Sequence, residues 1–134
     1  ALRVGGNAPE FVGLDVVETG RERHDLRAFS LHRSFSPLAG SAITVVETYF
    51  ARELDQAGLP ARIVGEVDER SRYRFKPGQA RKLAELSILF NIDNFEGIAA
   101  KELPDGRVRL YVISDDNFSL SQRTLLFVFD VAKK

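Results

Sequence analysis

Phe95-Glu96-Gly97-Ile98-Ala99-Ala100, then Leu103-Pro104-Asp105-Gly106, then Arg107-Val108-Arg109-Leu110-Tyr111-Val112-Ile113-Ser114 read as strand, turn and strand. The outer runs suit a pleated chain with a buried face. Between them, proline presets φ and glycine tolerates a positive one. A hairpin of this kind points to an antiparallel β architecture. Thr124 to Val131 extends it: Leu125, Phe127, Phe129 and Val131 fall on one face, Leu126 and Val128 on the other. This strand is therefore expected to be covered on both sides, as adjacent propeller blades or a sandwich would provide.

Upstream, Phe11 to Val17 alternates with Val12, Leu14 and Val16 on one face, and Leu26 to Phe35 places Phe29 and Leu31 together. Ala42 to Phe50 is rich in β-branched and aromatic residues, which suit a pleated surface. Its continuation through Glu53, Leu54 and Gln56 reads as strand or helix. Gly20 to His24 and Ser36 to Gly40 are turns, and Ala61 to Val67 is a shorter strand. One short helix is expected around residues 78–88. Leu83, Leu86 and Phe90 have helical spacing, Pro77 suits a first turn, and Ala80, Lys82, Ala84 and Glu85 are good helix formers.

With 134 residues and 44% hydrophobic content, the chain can fill one core and hardly two. Basic and acidic residues both total 19, so no whole-molecule field draws in nucleic acid or an anionic membrane, and neither partner is expected. The lack of cysteine removes disulfides and thiolate chemistry, and permits an oxidising compartment without requiring one. No apolar run approaches the roughly eighteen residues of a membrane span, and no signal pattern opens the chain. The absence of methionine suggests a processed product or an excised piece.

The acids concentrate in two places. Asp93, Asn94 and Glu96 could ligate a hard cation such as calcium, which takes oxygen donors. The same residues could instead cap or staple backbone donors. Ser114-Asp115-Asp116-Asn117-Phe118-Ser119 poses the choice again, because adjacent carboxylates repel unless a cation or an arginine such as Arg123 relieves them. The two Asp-Asn-Phe words lie twenty-three residues apart, which suits successive strands of one blade better than equivalent places in two. Arg70, Arg72, Arg74 and Lys76, interleaved with Ser71, Tyr73 and Phe75, form a basic stripe that reads first as a solvated face. His24 and His32 lack zinc-motif spacing and read as structural. Ser30, Ser34, Ser36, Ser114 and Ser119 sit outside any nucleophile elbow.

Phe35-Ser36-Pro37-Leu38-Ala39-Gly40, Leu83-Ala84-Glu85-Leu86, Asp93-Asn94-Phe95-Glu96-Gly97-Ile98-Ala99 and Ile113 to Ser119 through Gln122-Arg123-Thr124-Leu125-Leu126 resemble the C-terminal part of the phytase-like family, described by esterase-like activity. The resemblance implies a mainly β chain, either a single domain over 1–134 or the C-terminal fragment of a larger propeller. It also implies a periplasmic or secreted hydrolase of phosphate or other esters, with a small-molecule substrate and calcium as the cofactor. Carried over residue by residue, Glu96, Asp115, Asp116, Asn117 and Arg123 would face the propeller channel. On this hypothesis Asp93, Glu96, Asp115 and Asp116 hold the metal. Glu96, Asp115, Asp116 and Arg123 carry the catalysis, and Asn117 and Arg123 bind substrate. The alternative is a non-catalytic β-rich scaffold or ligand-binding module whose Asp/Asn words are structural staples. If blades are missing, unpaired strands would favour self-association.

Overall fold

Period-two patterning carries most of the chain into strands in the computed structural model, which describes residues 9–19, 25–38, 40–59, 61, 73–87, 94–115 and 124–132. Among them lie seven strands: β1 (Glu10–Thr19), β2 (Asp25–Ser36), β3 (Gly40–Arg52), β4 (Phe75–Ser87), β5 (Asn94–Glu102), β6 (Val108–Asp115) and β7 (Leu126–Val131). They form a four-stranded sheet of order β1-β2-β3-β4 and a three-stranded sheet of order β5-β6-β7. Every neighbour pair is antiparallel. The hairpin read from Leu103 to Gly106 is present: Gly106 adopts φ 88°. Its N–H donates to Leu103 O at 2.9 Å, and the Leu103 N–H to Arg107 O at 2.7 Å.

One face of each sheet meets the other in the core. Phe29 and Leu31 of β2, Ile43 and Val45 of β3 and Leu86 of β4 pack in one cluster with Phe95, Val108, Leu110, Val112 and Val131 of the second sheet. The sheets come closest at their β1 and β5 edges. There Asp15 Oδ2 accepts the Ala100 N–H at 2.7 Å. A Cβ on Gly13 would lie 3.3 Å from both the Glu96 carbonyl oxygen and Ile98 Cγ2, so glycine permits the approach. At the opposite edges the sheets diverge around a cavity of about 340 Å³ lined by β4 and β7 residues, among them Leu83, Ala84, Phe129 and Val131.

The expected helix at 78–88 is instead part of β4, and no helix occurs among the described residues. The cause is a β-bulge. Val45 pairs with Ala84 and the next residue, Val46, with Lys82, which leaves Leu83 as the extra residue. The bulge breaks the period of two, so Leu83, Ala84 and Leu86 all pack against the core and imitate helical spacing. Below it Arg81, rather than Lys82, turns to the inner face and pairs with Glu47. Pro77 is tolerated because β4 is an edge strand. A second bulge, at Val12, corrects the reading of β1. Val12 and Val17 pack against the core while Leu14 and Val16 are exposed.

The last strand is covered on one face only. Phe127 and Phe129 pack inward, but Leu126 is 57% and Val128 49% exposed, beside the exposed Ile113 of β6. The chain past β3 is not helical: Asp55 Oδ1 takes the N–H groups of Ala57 and Leu59 in a tight turn. The turn read at 20–24 and all but Ala61 of the strand read at 61–67 lie outside the described residues.

The Asp15 contact bridges the two sheets through an otherwise unpaired edge amide. Replacing Asp15 by alanine is expected to destabilise the fold by about 1–3 kcal/mol, the cost of leaving a partly buried donor unsatisfied. Urea denaturation measures it, with an unchanged slope showing that the native state is otherwise intact.

Candidate functional site

The two Asp-Asn-Phe words come together through strand register. Asn94 opens β5 and pairs across the sheet with Asp115 at the end of β6, and Phe95 pairs with Ser114. Glu96 is the extra residue of a bulge between Phe95 and Gly97, and its side chain is exposed. Phe95 anchors this end: it is fully buried, with its ring 5.2 Å from that of Phe127. The described site residues thus share one end of the second sheet. Of the remainder, Asp93, Asp116, Asn117 and Arg123 lie outside the described residues, and Asn94 and Asp115 are described in backbone alone. Among the described residues no three His, Asp or Glu side chains gather as a metal-holding group.

Ser114 has a structural task. It is buried, its Oγ accepts the Leu125 N–H at 2.7 Å, and its own N–H donates to Leu125 O at 2.9 Å. That double latch sets where β7 begins. Asp25 does similar work at the start of β2: it is buried, receives the Tyr49 hydroxyl, and accepts the Arg52 N–H at 2.8 Å. The aromatic residues interleaved in the basic stripe also have an internal use. Tyr73 lies 4.0 Å from the Arg52 guanidinium and Phe75 5.7 Å, while Arg74 faces Glu53 at 3.8 Å. Arg70, Arg72 and His24 are outside the described residues.

A Ser–His pair was not singled out from the sequence. On the outer face of the first sheet, Ser30 Oγ lies 2.9 Å from His32 Nε2, and the Phe11 ring meets the imidazole edge-on at 5.7 Å. Ser34, Thr44 and Thr48 surround the pair in an open depression. The signal was the i, i+2 spacing, which puts both side chains on one face once β2 is a strand. Among the described residues no second hydrogen bond reaches the ring, and none of them supplies the orienting partner that a catalytic triad uses.

A family model described as phytase-like, esterase-like activity of phytase, matches residues 22–118. The chain belongs to the phytase-like family. The matched residues include β2 to β6 and the paired words at Asn94 and Asp115, whereas Arg123 and β7 lie beyond them. Neither a comparison with curated proteins nor one with solved structures gave a match.

Among the described residues of this phytase-like chain, a buried ion-pair cluster sits away from the acidic words. Glu47 is 4% exposed and is held between two guanidinium groups, Arg27 Nε at 2.9 Å and an Arg81 terminal nitrogen at 2.8 Å. Burial raises its pKa, but hydrogen bonds from Arg27 and Arg81 outweigh that, and the carboxyl titrates below its ordinary 4.5. On the surface, Asp130 is held below the usual carboxylate range by the two-pronged hydrogen bond from Arg109, at 2.7 and 3.1 Å.

Because the folded pKa of Glu47 is depressed, its contribution to stability is complete above 4.5 and lost as pH falls through the lower folded value. Glu47→Gln is expected to cost about 3 kcal/mol at neutral pH, since it leaves buried Arg27 without its counter-charge. It should also remove part of the loss of stability expected of the unaltered protein as pH falls below 4.5. Denaturant midpoints measured from pH 3 to 7 would reveal both effects.

Proposed function

We propose that the two sheets are consecutive blades of a β-propeller and that the paired ends of β5 and β6 carry a calcium-assisted site for hydrolysis of phosphate or other esters. The observation that carries this reading is the Asn94–Asp115 register, which joins two acid-bearing segments distant in sequence at one sheet end. The sheet geometry supports the propeller: two antiparallel meanders approach at β1 and β5 and splay at β4 and β7, as radial blades do. Family membership supports the ester chemistry.

In this reading Asp93, Glu96, Asp115 and Asp116 hold the cation, an all-oxygen donor set of the kind calcium takes. Bound there, calcium would polarise a phosphoryl or carbonyl oxygen and offset its charge. Asn117 and Arg123 orient the substrate anion, Arg123 as a fork suited to paired oxygens. Glu96, Asp115 and Asp116 also supply the carboxylates near the reacting group. A periplasmic or secreted setting accords with this chemistry and with the absence of cysteine.

A second reading, a scaffold or ligand-binding module with structural polar words, is favoured by Ser114, whose hydroxyl in the second word is spent on Leu125. Thermal unfolding with calcium and with chelator separates the two, alongside turnover of p-nitrophenyl phosphate and p-nitrophenyl acetate. The site reading expects calcium to raise the midpoint, and Asp115→Asn with Asp116→Asn to abolish both that rise and the turnover. Retention of calcium affinity in the double variant would sink the ligand assignment. A midpoint indifferent to calcium, with neither ester hydrolysed, would leave the scaffold reading.

A further inference from the structure

Glu96 stands where the two sheets come closest, and both of the edges that meet there are bulged. β1 carries its extra residue at Val12, between Phe11 and Gly13, and β5 carries one at Glu96, between Phe95 and Gly97. The two strands run the same way along the seam, since Gly13 lies against Glu96 and Ile98 and Asp15 against Ala100. The bulges are therefore level with each other. A bulge leaves one residue out of the ladder and re-aims its side chain. At Val12 that side chain packs against the core, whereas at Glu96 it is exposed.

Contacts on every side fix the backbone that carries Glu96. Before it, Phe95 is fully buried with its ring against Phe127. After it, a Cβ on Gly97 would lie 2.8 Å from Ile113 Cγ2 of β6, and the Ala100 N–H is held by Asp15. At Glu96 itself the carbonyl oxygen is backed by Gly13, where a Cβ would come to 3.3 Å from it. A side chain at position 13 must push one edge away by a few tenths of an ångström. With Phe95 and Ala100 held on either side, that displacement falls on the bulge. A metal-ligating oxygen tolerates little of it, because ligand distances are set to within about 0.2 Å.

We propose that Gly13 is a positioning residue for Glu96: by lacking a side chain, it lets β1 brace the bulge from which the Glu96 carboxylate reaches the metal. The inference rests on the assignment of Glu96 as a calcium ligand made above. It adds that the first sheet, which supplies none of the assigned ligands, sets the geometry of the site.

The test is titration of the whole chain with calcium chloride by calorimetry, together with amide NMR spectra recorded before metal is added. Gly13→Ala and Gly13→Val are expected to weaken calcium binding in that order, the valine by about tenfold, as when a group that orients a ligand is altered. Without metal, the amide signals of Glu96 and Gly97 should shift in both variants while those of Phe129 and Val131 stay in place. Val45→Ala, beside the cavity on the far side from the seam, should lower the melting midpoint and leave calcium affinity unchanged, which separates positioning from stability. If Gly13→Val does not fold, the alanine variant carries the test. Unchanged affinity in the folded Gly13 variants, or an equal loss in Val45→Ala, overturns the role of Gly13 and leaves the calcium site standing. An unaltered chain that takes up no calcium overturns both.

Discussion

The seam between β1 and β5 is the constraint on which the arrangement of the sheets depends. Two sheets facing each other through apolar side chains would slide with little penalty, since burial is not directional. Asp15 removes that freedom by taking the Ala100 N–H, and the missing Cβ at Gly13 lets the edges close. With the sheets pinned along one side, the space between them lies at the other, between β4 and β7. The closed side brings β1 against the stretch from Glu96 to Ala100, and the open side becomes the trough beside β7.

Much of this was legible in the sequence, and the failures have a common cause. The β5–β6 hairpin, β2 and β3 follow from plain alternation and turn chemistry, and their boundaries fall close to those expected. β4 and the faces of β1 were misread because each contains a bulge. One extra residue shifts the parity of everything beyond it, so Leu83 and Leu86 take a spacing that a helix would also give. Nothing within residues 78–88 reveals the bulge, because it exists only relative to the partner strand β3. The two-sided burial expected of β7 failed for a related reason: apolar character at Leu126 and Val128 does not reveal whether a neighbour covers them.

The candidate site was legible as two words and no further. That they pair followed from the hairpin between them, since an antiparallel turn brings residues equidistant from it together. What the side chains do there is a separate matter from where the backbone runs. Ser114 stood among several unremarkable serines, and its role as the latch of β7 depends on Leu125, eleven positions away. The Ser30–His32 pair was hidden differently: it needs only the strand assignment, and its i, i+2 spacing belongs to neither a zinc motif nor a nucleophile elbow.

The outward faces carry a consequence for the protein in concentrated solution. Phe11, Leu14 and Val16 are exposed on the first sheet, and Ile113, Leu126 and Val128 on the second. With a formal net charge of zero at pH 7, copies have no long-range repulsion to keep these surfaces apart. Colloidal stability should therefore be lowest near neutrality and improve a unit or two to either side. Added salt, which usually quietens charged proteins, would here screen only local attractions between opposite charges while leaving the apolar faces as sticky as before.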